Sequence, residues 1–151
     1  MSDAQGADEG GTSGESTAAN VGNEISDTFS KMSGGERFAV LGAVIVLADW
    51  LLFDLLIDDY GMGSLPFALA VLIVGAAYFH HRRSGDDPVP YGSLLFAAAG
   101  ILGLLGVVDV IEEVRNDIFD RDATTVVGAL IYYGGAILSG VGALQLKNNQ
   151  P

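Results

Sequence analysis

Residues 38–57 read FAVLGAVIVLADWLLFDLLI. Twenty helical residues at ~1.5 Å rise cover ~30 Å, the hydrocarbon thickness of a bilayer. No charge occurs from Phe38 to Ala48, so such a helix is apolar all round. A soluble four-helix bundle needs a polar face on every helix. The stretch therefore predicts a membrane span, ended by Asp58, Asp59 and Gly61.

Three more apolar stretches follow. Leu65–Phe79 (LPFALAVLIVGAAYF) is short for a span and borrows His80 and His81, giving 65–81. The next runs over 93–111 around GILGLLGVV, and the last over 124–146, with Pro88 and Pro90 punctuating the link between the second and third. The fold expected is all-α: an integral membrane protein of four transmembrane helices in two hairpins, with a disordered acidic N-terminal tail.

Composition agrees. Half of the 151 residues are hydrophobic, yet the net charge is −12, with a mean hydropathy of +0.40. Those values coexist only if charge and apolar residues occupy different segments. Residues 1–23 are acidic, small or amide-bearing with almost nothing apolar, a composition that cannot offset ordering entropy. In 24–35, Ile25, Phe29 and Met32 are spaced i, i+4, i+7, which predicts a juxtamembrane amphipathic segment. It reads either as a helix on the membrane surface or as a frayed linker. The transmembrane domain is expected over 36–147 and a short C-terminal tail over 148–151.

There is no cysteine, which excludes disulfides and thiol nucleophiles. A pI near 4.1 leaves no basic patch to neutralise phosphates, so nucleic acid is not an expected partner. No basic stretch followed by a short apolar run marks a cleavable leader at Met1, so the first span is expected to direct its own insertion. Lys31, Arg37, Arg82, Arg83 and Lys147 fall on one side of four spans, and only Arg115 and Arg121 on the other, accounting for all 7 Lys and Arg. Both termini are therefore expected in the cytoplasm of a multi-pass cell-membrane protein.

Asp49 is the candidate intramembrane polar site, with Tyr132 and Tyr133 beside it. A carboxylate near the midplane costs several kcal/mol unless protonated, hydrogen-bonded or wet. It reads as a proton or cation site, or as an interior Asp holding helices in register. Counted from the span centres, Tyr133 and Tyr132 lie in the same layer, ~3 and ~4.5 Å outward of the midplane. A hydrogen bond from one of them to Asp49 is expected.

Asp54, Asp58, Asp109 and Glu113 form a candidate outer acidic cluster. It reads as a vestibule that concentrates cations, or as solvated helix ends suited to a salty medium. Gly100, Gly103, Gly106, Gly135, Ser139 and Gly140 are the candidate helix-packing positions, since small residues let backbones approach closely in lipid. His80-His81 reads as an interfacial anchor, because adjacent helical histidines diverge by about 100°.

No catalytic motif, cofactor-binding motif or metal-ligand spacing stands out, and an enzyme is not expected. The expected function is a structural or accessory membrane role, alone or as a subunit of a larger assembly, with ion- or proton-coupled transport as the alternative. The partners implied are the lipid bilayer and either a second copy or another membrane protein.

Overall fold

Ser33 is the point from which the bundle can be built. Its Oγ accepts from the Glu36 N–H at 3.3 Å, and its own N–H donates to Glu36 Oε2 at 2.7 Å. This reciprocal capping box starts α2 at Gly34, four residues ahead of the expected span.

The computed structural model describes residues 13–54, 63–82, 89–115 and 122–148. Among these no strand occurs, and the helices are α1 (Ser13–Lys31), α2 (Gly34–Asp49), α3 (Ser64–Arg82), α4 (Tyr91–Arg115) and α5 (Ala123–Asn148). A five-residue π-helical segment, Trp50–Asp54, continues α2. Three helices are long and apolar enough to cross a membrane: α3, α4 and α5, of 19, 25 and 26 residues. Their bounds lie within four residues of the stretches read at 65–81, 93–111 and 124–146. The stretch 38–57 is instead divided. Its α-helical part has 16 residues from Gly34, a rise of only ~24 Å, and residues 55–57 lie outside the described residues.

The N-terminal 31 residues form a unit of their own. Helix α1 begins at Ser13, eleven residues before the amphipathic segment expected from Glu24. That places residues 13–23, expected in the disordered tail, in a helix, while 1–12 lie outside the described residues. Local bonds support it. Thr28 Oγ1 donates to Glu24 O at 2.8 Å, and Lys31 Nζ meets Asp27 Oδ2 at 2.7 Å, an i, i+4 pair with the acid nearer the N-terminus.

Helices α2 to α5 form an up-down-up-down ring. Trp50, just past α2, packs on Phe67 at the start of α3, with centroids 4.3 Å apart. Phe79 at the end of α3 stacks on Tyr91 at the start of α4, at 5.7 Å. Helix α5 then closes the ring by packing on both α4 and α2, its most extensive neighbours.

That closure rests on small residues. Gly35, Ala39 and Gly42 on α2 are spaced i, i+4, i+7, and so are Gly135, Ser139 and Gly142 on α5. Run antiparallel, the two triplets match. A Cβ on Gly42 would collide with Gly135 O and Ser139 N, one on Gly142 with Ala39 N and Gly35 O, and one on Gly35 would come within 2.9 Å of Gly142 O. The adjacent positions of α5 serve α4: a Cβ on Gly103 would lie 2.5 Å from Gly140 Cα, and one on Gly106 2.6 Å from Ala136 Cβ. Large apolar side chains point outward instead, Leu104, Leu130 and Leu144 being 68%, 60% and 63% exposed. Seams of Gly, Ala and Ser, beside buried Val46, Ile73, Leu95 and Leu102, suit lipid, where packing rather than water exclusion drives association.

Candidate functional site

Two polar clusters lie at opposite ends of the ring. At the end where α2 starts, the Glu36 carboxylate is 7% exposed. The capping box fixes its Oε2, and its Oε1 faces the end of α3. His81 Nε2 lies 3.1 Å from that oxygen and His80 Nε2 3.8 Å. A carboxylate only accepts, so the shorter contact fixes the Nε2–H form of His81. The two rings stand 73° apart with centroids at 5.1 Å. They diverge, as adjacent helical residues must, but both Nε2 atoms reach one acceptor. A cleft of about 490 Å³ opens beside them, lined by Ser33, Glu36, His80, Tyr91, Phe96 and Leu146 among others.

At the other end, the Tyr132 hydroxyl donates to Asp109 Oδ2 at 2.8 Å. This joins one residue of the expected Asp49 layer to one of the expected outer acidic cluster. The reason is rotational. Tyr132 shares a face with Ala136 and Gly140, four and eight residues on, and that face is turned to α4, where Asp109 lies three residues beyond Gly106. The single hydroxyl proton of Tyr132 is thereby directed at Asp109 and not at Asp49. Tyr133 is buried, its ring tilted 53° to that of Tyr132 at 5.3 Å. Glu113 is half-exposed one turn beyond Asp109. Asp58 and the side chain of Asp54 lie outside the described residues.

Asp49 is enclosed, with 1% of its surface exposed. It is the last α-helical residue before the π segment, and the Trp50 N–H is shared between Val46 O and Leu47 O, so the ladder changes step there. Segments of π-helix within a helix recur at functional sites. Nearer the middle of the bundle, the buried Ser139 Oγ donates to Ala39 O at 3.2 Å across the α2–α5 seam.

Of the expected packing positions, Gly103, Gly106, Gly135, Ser139 and Gly140 lie at helix seams, whereas a Cβ on Gly100 would meet nothing within 4 Å. Gly100 lines an apolar groove between α4 and α5 together with Gly103, Ile137 and Gly140. Gly35, Gly42 and Gly142 are further seam residues, and the i, i+4, i+7 repeats they form with Ala39 and with Gly135 and Ser139 are visible in the sequence. The Glu36 cluster has one signal in the sequence, the capping-box spacing Ser33-x-x-Glu36.

Among the described residues, no group of three His, Asp or Glu side chains is arranged to hold a metal ion. No family model, curated protein or solved structure matches the chain.

Proposed function

We propose that this is a four-span protein of the cell membrane with a structural, non-enzymatic role, acting as an accessory subunit to a second copy or another membrane protein. Helix α2 and its π segment supply the fourth span. The observation that carries the reading is where the interior polar side chains go. Ser139 bonds the α2 backbone, Tyr132 bonds α4, and Glu36 bonds the end of α3. Each ties one helix to the next, and the α2–α5 and α4–α5 seams are closed by backbone against backbone.

The test is reconstitution into vesicles carrying a pH- or cation-sensitive dye. The expected result is flux no greater than in empty vesicles. Flux that the protein confers and Asp49→Asn removes would establish the second reading, proton- or cation-coupled transport. The enclosed Asp49 at the α-to-π junction favours that reading. Topology is checked separately: cysteines placed at Ser2 and Asn148 should be shielded from an impermeant thiol reagent in intact cells, and one at Gly63 labelled. The reverse pattern inverts the orientation drawn from five Lys and Arg against two.

A further inference from the structure

The cleft beside Glu36 combines features that no helix-packing role requires. One wall is a carboxylate nine-tenths buried. It is held from behind by Ser33 N–H on Oε2, while His81 Nε2 at 3.1 Å and His80 Nε2 at 3.8 Å lie on Oε1. Each carboxylate oxygen accepts two hydrogen bonds, so with both histidines on Oε1 the second position of Oε2 supplies acceptor capacity on a group whose position is already fixed. Aromatic rings line the same cleft: Tyr91, stacked on Phe79, and Phe96. Gly92 lets the His80 ring lie close against the start of α4, since a Cβ there would sit 3.4 Å from His80 Cε1. The remaining wall is apolar, made by Val89, Leu95 and Leu146.

A fixed carboxylate in one cleft with aromatic rings is the recognition chemistry of a cation carrying N–H donors. An apolar wall adjoining it suits the hydrocarbon part of the same molecule. The volume of about 490 Å³ is that of a small-ligand site. The cleft also sits at the end of α3, α4 and α5 where Arg82 and Lys147 lie, the headgroup level if these helices span a bilayer.

We propose that this cleft binds the primary ammonium group of an amphiphile, with Glu36 as its acceptor and Tyr91 and Phe96 as its aromatic wall. The headgroup of an ethanolamine phospholipid and a free long-chain amine present the same chemistry. Its placement at headgroup level rests on the membrane reading above, and recovery of the full-length protein in the detergent-extracted membrane fraction checks that reading before any ligand is added.

The experiment uses the full chain in maltoside detergent, titrated with phosphatidylethanolamine, phosphatidylcholine and phosphatidylglycerol under native mass spectrometry. Dodecylammonium is followed in parallel by thermal shift. Phosphatidylcholine carries the same charge without N–H donors, and phosphatidylglycerol carries no cation. Losing one charge-assisted hydrogen bond corresponds to about tenfold in affinity. Retention of the ethanolamine lipid about tenfold above the other two, reduced to parity by Glu36→Gln, is the expected result. Glu36-dependent stabilisation by dodecylammonium without lipid preference supports the same site and assigns it to a free amine. Because Glu36→Gln also weakens the α2 cap, Ser93→Trp at the exposed rim serves as a second variant that obstructs the cleft and leaves the cap intact. Equal retention of all three lipids with no amine effect, or preferences unchanged in both variants, overturns the proposal.

Discussion

Helices α3 and α5 are both apolar and both span-length, but they are built for opposite surroundings. Nine residues of α5 are buried, among them Gly135, Ala136, Ser139, Gly142 and Ala143, against five in α3. Helix α5 carries its small residues as adjacent pairs, Gly135-Ala136, Ser139-Gly140 and Gly142-Ala143. Neighbouring positions point about 100° apart, so each pair gives one contact to α2 and one to α4. Helix α3 has a lone Gly75 with nothing near it, and it turns Leu65, Val71 and Phe79 outward. Hydropathy is nearly the same in the two helices; the spacing of the smallest residues separates a bundle's axis from its edge.

Leucine substitutions put the largest strain on this contrast. Gly135→Leu must displace the Gly42 carbonyl and the Ile45 and Val46 side chains, each 2.9–3.0 Å from a Cβ. Overpacking costs about 1–3 kcal/mol and more where backbone must move, so we expect Gly135→Leu to lower the thermal midpoint in detergent most steeply, or to abolish folding. Gly75→Leu on α3 is expected to leave the midpoint within about 0.5 kcal/mol of the original, as surface substitutions do. Similar losses for both would mean that α5 is not the axis. Gly100→Leu on α4 belongs with Gly75→Leu, and a large loss there would bring Gly100 back into a seam.

A middle-sized effect is expected at the α2 entrance. Ser33→Ala removes one half of the capping box and should cost about 1 kcal/mol, with Ser33→Asp recovering most of it. No loss on Ser33→Ala would show that burial alone positions the start of α2. The smallest effect should come from Tyr132→Phe, since membrane hydrogen bonds average about 0.6 kcal/mol. A double-mutant cycle with Asp109→Ala should give a coupling of that size. Zero coupling would separate the two side chains.

The four apolar stretches, and three of their helical bounds, can be read from the sequence because an apolar run needs no partner to be recognised. The Tyr132–Asp109 bond cannot. Depth along the membrane normal places Tyr132 level with Asp49, but depth says nothing of rotation, and it is the Ala136–Gly140 face that carries Tyr132 to α4. A repeat of three drifts around the helix, while the i, i+4, i+7 repeat of Gly35, Ala39 and Gly42 stays on one side. The division of the first stretch at Asp49 has no residue-level signal. Neither Gly nor Pro interrupts Ala48-Asp49-Trp50-Leu51, and the change of step appears only once the bundle is packed.

The Ser139–Ala39 bond joins residues 100 positions apart, and this bears on how the chain is made. Synthesis proceeds from the N-terminus, so α2 is made long before its main neighbour α5 has been translated. Until α5 emerges from the ribosome, the glycine faces of α2 and α4 lack the surface they pack against. Completion of the bundle is therefore set by the arrival of its last helix, and a chain cut short before Gly135 would leave two sticky surfaces for membrane quality-control proteases to find.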